Sequence, residues 1–384
     1  MSATKLIYLD YSATTPPFPE AVRFYCERLE KSFANPSSAH RLGAEARKSL
    51  EQALDSLADT FECLPQELII TSGASESINT ALKNFFPAGR SWPGGLAVCT
   101  GEHAATRETA ESLSRKGVEI QTFSLLPSGA IDLESVAAAL AAKPLVLSFM
   151  LVNNETGAIA PTAAITAMRN KISPRTKIHI DAVQAPGRIP FSFKQTKADL
   201  MSLSGHKFGA PRGIGLLIAR RGLAVTPLIE GGGQQKNRRS GTENPPLVET
   251  LALAAAKATA DAQSETGRIA ALEQLLRSLL FQEGSLLRPV CTAEKVPHIL
   301  ALQTPGLRGE TLVNALSAEG IMISAGSACA ARKAAASPIL RAMGLSDTAA
   351  REVVRISLGR DTTATEINES AAALLRVYNQ LARP

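Results

Sequence analysis

The stretch ADLMSLSGHKFGAPRGIG, Ala198 to Gly215, decides the fold. A short apolar run stops at Ser204-Gly205, passes through His206-Lys207, and resumes as GIGLLIAR after a turn rich in glycine and proline. Apolar runs this short, closed by turn residues, read as buried strands rather than helices. The same signature recurs in ELIITSG, GGLAVCT, PLVLSFMLV and TKIHIDAV. Helical patterns lie between them, among them SSAHRLGAEARKSLEQALDSLADTF, TRETAESLSRKG and LESVAAALAA. Strand and helix alternating in this way predict an α/β protein with a mainly parallel sheet and helices on both faces.

After Asn244 the pattern changes. A long helical stretch, PPLVETLALAAAKATADAQSETGRIAALEQLLRSLLFQEG, leads into a shorter α+β tail. The expected division is a large domain over 15–260 and a small domain built from 1–14 plus 261–384.

Composition sets the class. The 384 residues are 45% hydrophobic and 20% charged, which is ordinary for a soluble globular chain. The N-terminus MSATKLIYLD has no apolar segment of the secretory kind, and no apolar run is long enough to span a membrane. The net charge of +6 is dispersed, so scattered solubilising lysines and arginines are a better reading than a nucleic-acid surface. Five cysteines, Cys26, Cys63, Cys99, Cys291 and Cys329, include no C-x-x-C pair. An odd, unpaired set argues against a disulfide framework and against zinc, and fits a reducing cytoplasm.

Several strand ends carry chemistry. Lys207 follows a strand that ends in glycine, where a buried amine suits a Schiff base with a carbonyl compound. A lone lysine in a polar turn is usually a surface residue; other site-like features at other strand ends give this one weight. Asp181 closes TKIHIDAVQ with Gln184 nearby, and a carboxylate there suits a protonated ring nitrogen as readily as a helix cap. IITSGASESINTAL runs from strand through Gly73 into helix, an arrangement that offers free N–H groups to an anion or simply caps the helix with serine. His103 follows GGLAVCT, Asn153 and Asn154 follow PLVLSFMLV, and RRSGTEN offers Arg239, Ser240 and Thr242 as a second phosphate contact. Arg355 lies in an apolar strand of the tail, where it calls for a carboxylate, internal or on a substrate. In ISAGSACAARKAAAS, Ile323 to Ser337, Cys329 has no bulky apolar neighbour before Ile339, so a mobile, exposed thiol is expected. The other four cysteines read as small buried hydrophobes.

Taken in order, YLDYSATTP, TSGASES, EHAA, VNNETG, HIDAVQ, SGHKFGAPRGIG, GGGQQKNRRSGTEN, SAGSAC and VRISLGR closely resemble the cysteine desulfurase family of fold-type I pyridoxal-phosphate enzymes, over nearly the whole chain. The resemblance implies a seven-stranded sheet in the large domain and pyridoxal 5'-phosphate as cofactor. It implies that Lys207 holds the cofactor, Asp181 faces the pyridine nitrogen, and His103 stacks on the ring. Asn154 and Gln184 would contact the phenolic oxygen. Ala74, Ser75, Ser204 and His206 would bind the phosphate, with Thr242 reaching it from the partner subunit of a homodimer. Arg355 would hold the carboxylate of L-cysteine, with Asn154 beside it, and Cys329 would take the sulfur as a persulfide. The sulfur would pass to an acceptor protein, an iron–sulfur scaffold or a tRNA-thiolation factor. A selenocysteine lyase, an aminotransferase-like relative, and a sulfur-relay or regulatory relative without turnover are the alternatives. Cys329 argues against transamination and the intact Lys207, Asp181, His103 and Arg355 against loss of turnover.

The chain departs from the family pattern in places. HKFGAPRG stands where many relatives have a bulkier residue and PKG, and Ser75 stands where threonine is common. The alanine-rich, basic segment after Cys329 has the length of the long-loop group, which favours direct delivery to a partner. Arg332 and Lys333 there would lower the Cys329 pKa or meet an acidic acceptor. The ending LLRVYNQLARP implies that much of the C-terminal extension offered to a scaffold in housekeeping members is missing.

Overall fold

The computed structural model describes residues 6–89, 91–326 and 336–382. Its centre is a seven-stranded sheet. In chain order the strands are β1 (Ile7–Tyr8), β2 (Leu68–Thr71), β3 (Leu96–Cys99), β4 (Ile120–Phe123), β5 (Val146–Met150), β6 (Lys177–Asp181), β7 (Leu200–Ser204), β8 (Gly215–Ala219), β9 (Arg288–Pro289), β10 (Ile299–Gln303), β11 (Ile321–Met322) and β12 (Val353–Ser357). The large sheet has the order β2-β8-β7-β6-β5-β3-β4. The pairs from β7 through β4 are parallel, whereas β8 runs antiparallel to both β7 and β2. The expected mainly parallel architecture is therefore present, with a single reversed strand next to the edge.

Burial explains the apolar runs. Every residue of β3, β5, β7 and β8 is buried, because helices cover both faces of the sheet. The edge strand β4 is half-exposed and reads Ile-Gln-Thr-Phe, too mixed in polarity to signal a strand by itself. At the other edge the Gln235 side chain stands in for a neighbouring strand: its Oε1 accepts from Ile70 N at 2.7 Å and its Nε2 donates to Ile70 O at 2.9 Å.

A second apolar core gathers Ile7 and Leu9 with Ile269, Leu276, Leu300, Leu312, Ile356 and Leu374. It sits under the antiparallel sheet β12-β10-β9 and the parallel pair β1-β11. The helix Pro245–Leu280 runs unbroken from one core into the other. This grouping supports a division near residue 260 as a proposal, with the helix as a rigid connector. Val296, Ile339 and Val353 belong to the first core, so the tail also packs against the main sheet.

The burial also corrects one reading. Cys26 is exposed, on the helix Pro19–Lys31 whose one buried residue is Ala21; Cys99 and Cys291 are buried as expected. Amphipathic spacing placed Cys26 on the solvent face.

Gly215 marks where the sheet and the turn before helix Ala74–Lys83 meet. A Cβ there would stand 2.5 Å from Gly73 Cα and 2.8 Å from Leu203 O, both backbone atoms. Gly215→Ala is expected to cost about 1–3 kcal/mol of stability through this overpacking, read as a lowered denaturant midpoint.

Candidate active site

The carboxyl ends of the parallel strands converge. β3 ends before His103, β5 before Asn153 and Asn154, β6 at Asp181, and β7 before Lys207. The register sets Met150 beside Asp181 and Asp181 beside Ser202, so these ends lie level. They open into a cavity of about 430 Å³ lined by Lys207, Asp181, His103, Asn154, Gln184 and Arg355 on one side. Ala74, Ser75, Ser204 and His206 line it on the other. Ten of the twelve residues to which the family resemblance gives roles thus share one cavity. Cys329, with Arg332 and Lys333, lies outside the described residues.

Lys207 sits at the centre. Its Nζ donates to Ser12 O at 2.7 Å and Ala13 O at 2.9 Å. Burial, with Arg188 and Arg355 adding repulsion, lowers its pKa to about 7, against the opposing pull of Asp181 and Asp10. A neutral, nucleophilic amine is therefore available near neutral pH. Asp181 is buried, and burial raises its carboxyl to about 6 although Val183 N donates to Oδ1 at 3.0 Å and Lys207 favours the anion. A protonated ring nitrogen beside it would restore the anion by charge pairing.

His103 caps the helix Ala104–Ser114. Its Nδ1 accepts from Ala105 N at 3.1 Å, which leaves the ring proton on Nε2. Burial, then Lys207 and Arg107, lower its pKa to about 4, so the ring is neutral. His206 bonds Thr14 Oγ1 through Nδ1 at 3.0 Å, and burial lowers it to about 4 as well. The helix Ala74–Lys83 points its N-terminus into the cavity; its first free backbone N–H groups and positive dipole end suit a phosphate.

Two further site residues are partly occupied within the chain. Arg355 donates from Nη2 to Asp10 Oδ1 at 2.6 Å and from Nη1 to Asn154 O at 3.0 Å, leaving Nε without a partner. The carboxylate that Arg355 calls for is thus supplied internally by Asp10, while Arg355 still lines the cavity. Gln184 donates from Nε2 to Ser12 O at 3.0 Å and accepts from Arg188.

One sequence reading changes place. Arg239 spends its fork on Glu76, with Nε–Oε1 at 2.9 Å and Nη2–Oε2 at 3.3 Å, because that buried carboxylate needs a cation; Arg239 is not a phosphate contact. Thr242 is exposed and lines a separate cavity with Ser72 and Gln235, outside the one that holds Lys207. Residues the sequence reading passed over include Ser12, Ala13, Asp10 and Arg188. The first three lie in YLDYSATTP, whose role is carried by backbone carbonyls that no residue type reveals.

The class-V aminotransferase model matches residues 7–369. A NifS/IcsS protein homolog of Lactobacillus delbrueckii subsp. bulgaricus is 36% identical over 380 residues, covering 98% of this chain and 98% of its own. A cysteine desulfurase of Rhodobacter capsulatus is 36% identical over 377 residues, covering 98% and 97%. A solved NifS-like protein superposes with a TM-score of 0.90 at 31% identity, covering 98% of this chain and 99% of that one. The chain belongs to the cysteine desulfurases of the class-V aminotransferase family.

Members of this family are pyridoxal-phosphate enzymes. The cavity fits that group on its own evidence. Asn154 Oδ1 and Ser12 Oγ are buried without partners, Asp181 is a buried carboxylate in need of a cation, and a helix N-terminus waits for an anion. Because Lys207 must be unprotonated to attack an aldehyde, capture of pyridoxal phosphate by the apoprotein is expected to accelerate as pH rises through about 7 and to level off above it. Stopped-flow absorbance against pH measures this; a midpoint at the ordinary lysine value would contradict the depressed amine.

Proposed function

We propose that this protein is a homodimeric cysteine desulfurase of the cytoplasm that takes sulfur from L-cysteine, leaving L-alanine and a persulfide on Cys329. The observation that carries the reading is the half-buried Lys207, its amine lowered to about 7, sharing one cavity with Asp181, His103 and Arg355. Pyridoxal phosphate, when bound, supplies an electron sink for charge developing at the substrate Cα.

The protein's own groups do the rest. Asp181 would hold the cofactor by its ring nitrogen and keep that nitrogen protonated. The neutral His103, its Nδ1 occupied by Ala105 N, would contact the cofactor and offer its Nε2 proton. Asn154, through its unpartnered Oδ1, and the second amide N–H of Gln184 orient the group they face. Arg355, held in plane by Asp10 and Asn154 O, binds the substrate carboxylate through its remaining N–H groups. Lys207 removes the Cα proton once its amine is free.

The overall step balances without an external oxidant. The Cβ–S bond of L-cysteine breaks, an S–S bond forms at Cys329, and protons delivered at Cα and Cβ complete alanine. Cys329 attacks as a thiolate and is oxidised to the persulfide level as the substrate Cβ is reduced. Thr242, exposed in one chain, would reach the phosphate of the second copy. The persulfide sulfur would pass to an acceptor protein for iron–sulfur assembly or tRNA thiolation. No helix among the described residues is long and apolar enough to cross a membrane.

The test is direct. Incubated with L-cysteine and a reductant, the purified protein should release alanine and sulfide in equal amounts. Cys329→Ser should abolish persulfide and alanine formation while keeping the visible cofactor band. Lys207→Ala should lose about 10²–10⁴ in rate, as expected for removal of a positioned acid–base group. Wild-type turnover in Cys329→Ser would refute the acceptor role.

A further inference from the structure

Glu155 follows Asn154 in the loop after β5, yet it is not among the residues that line the cavity. It is 3% exposed, and among the described residues it makes no ion pair. A carboxylate taken out of water without a salt bridge is costly and calls for a reason. Its backbone N–H donates to Asn153 Oδ1 at 2.9 Å, which fixes the loop turn, and Thr156 N donates to the same oxygen at 3.0 Å. Its Oε2 accepts from Ser337 Oγ at 2.5 Å.

That partner is informative. Ser337 lies two residues past 335, at the C-terminal stem of the segment 327–335 that carries Cys329. The N-terminal stem reaches the same place. A Cβ on Gly326 would stand 3.9 Å from Glu155 Oε2, and Gly326 has φ +64, so the backbone there approaches the carboxylate in a conformation suited to glycine. Two residues earlier, Ser324 exchanges backbone bonds with Arg355, at 3.1 Å for Ser324 N to Arg355 O and 2.6 Å for Arg355 N to Ser324 O. Arg355 in turn donates to Asn154 O. Both stems are therefore fastened to one loop, one through Arg355 and the other through Glu155. Burial raises the Glu155 carboxyl above the usual range, opposed first by the Ser337 hydrogen bond and then by the charges of Arg355 and Arg107.

We propose that Glu155 is a positioning residue for sulfur transfer: its carboxylate ties the Ser337 stem of the Cys329 segment to the loop that presents Asn154 to the cofactor and substrate. The inference rests on the reading of Cys329 as sulfur acceptor. Its physical content is that loss of the tie misplaces the attacking thiol without removing a side chain that lines the cavity, since Glu155 is not among the lining residues.

The experiment uses the full chain loaded with pyridoxal phosphate, and compares wild type with Glu155→Ala, Ser337→Ala, the double variant and Glu155→Gln. Two quantities are read: L-cysteine half-saturation from the change in the visible band, and the single-turnover rate of persulfide formation on Cys329 from alkylation and mass spectrometry. Glu155→Ala and Ser337→Ala should each slow persulfide formation by about 10- to 100-fold with unchanged band and half-saturation. The double variant should be no slower than the slower single one, because both remove the same bond. Glu155→Gln keeps an amide oxygen for Ser337 and should stay within about threefold of wild type. A wild-type persulfide rate in Glu155→Ala, or an equal loss of L-cysteine binding, overturns the proposal. Should Glu155→Ala fail to fold, Ser337→Ala decides by the same criteria. Failure of the underlying reading is distinguishable, since it appears as undiminished turnover in Cys329→Ser.

Discussion

A half-buried amine held by two peptide carbonyls organises this molecule. Among the described residues Lys207 Nζ has no carboxylate in hydrogen-bonding reach; Ser12 O and Ala13 O accept its hydrogen bonds instead. Those carbonyls belong to the N-terminal strand segment, which belongs to the second core through Ile7 and Leu9. The same segment sends Asp10 to Arg355, Tyr11 O to Arg188, and Thr14 Oγ1 to His206. Thr15 N bonds His206 O and Phe18 N bonds Gly209 O, so the segment runs along the lysine turn and closes it. Moving this segment would move Lys207, its counter-dipoles and Arg355 together.

The electrostatics of the cavity follow from that arrangement. Lys207, Arg188 and Arg355 are crowded into a region of low dielectric, and mutual repulsion adds to burial in lowering the lysine. Asp181 and Glu102 face the converse problem. Glu102 is 1% exposed, with Met150 N donating to Oε1 at 2.8 Å, and burial reinforced by the Asp181 charge raises it to about 8. Burial raises both carboxyls, Glu102 further than Asp181, so Asp181 is the readier of the two to carry charge near neutral pH. Glycine at 215 lets the phosphate-facing turn settle on the sheet, so the anion end of the cavity is fixed by backbone contact rather than by a side chain.

Much of this was legible along the chain. Strands β2, β3, β5, β6, β7 and β8 announce themselves as short apolar runs, because burial on both faces removes the need for alternation. β4 does not, because an edge strand with one exposed face carries glutamine and threonine. Lys207, Asp181, His103 and the asparagine pair were visible as polar residues at strand ends, where α/β proteins collect ligands. Arg239 misled, because a guanidinium beside glycine and serine looks the same in sequence whether it meets a phosphate or Glu76. Glu155 and Ser337 are 182 positions apart in the chain, and no local pattern joins them.

The sequence by itself determined the order of strands and helices, the identity of the reactive side chains and the family, because these depend on residue type and on patterns within a turn or a strand. Only the tertiary structure decided which of those side chains are charged and what each one holds. Protonation depends on burial and on neighbours brought from distant positions, as Arg188 and Arg355 are brought to Lys207. It also decided that Arg355 is met by Asp10 and that the stem of the Cys329 segment is tied to Glu155, since hydrogen bonds between remote segments exist only once the two cores have closed around the N-terminal strand.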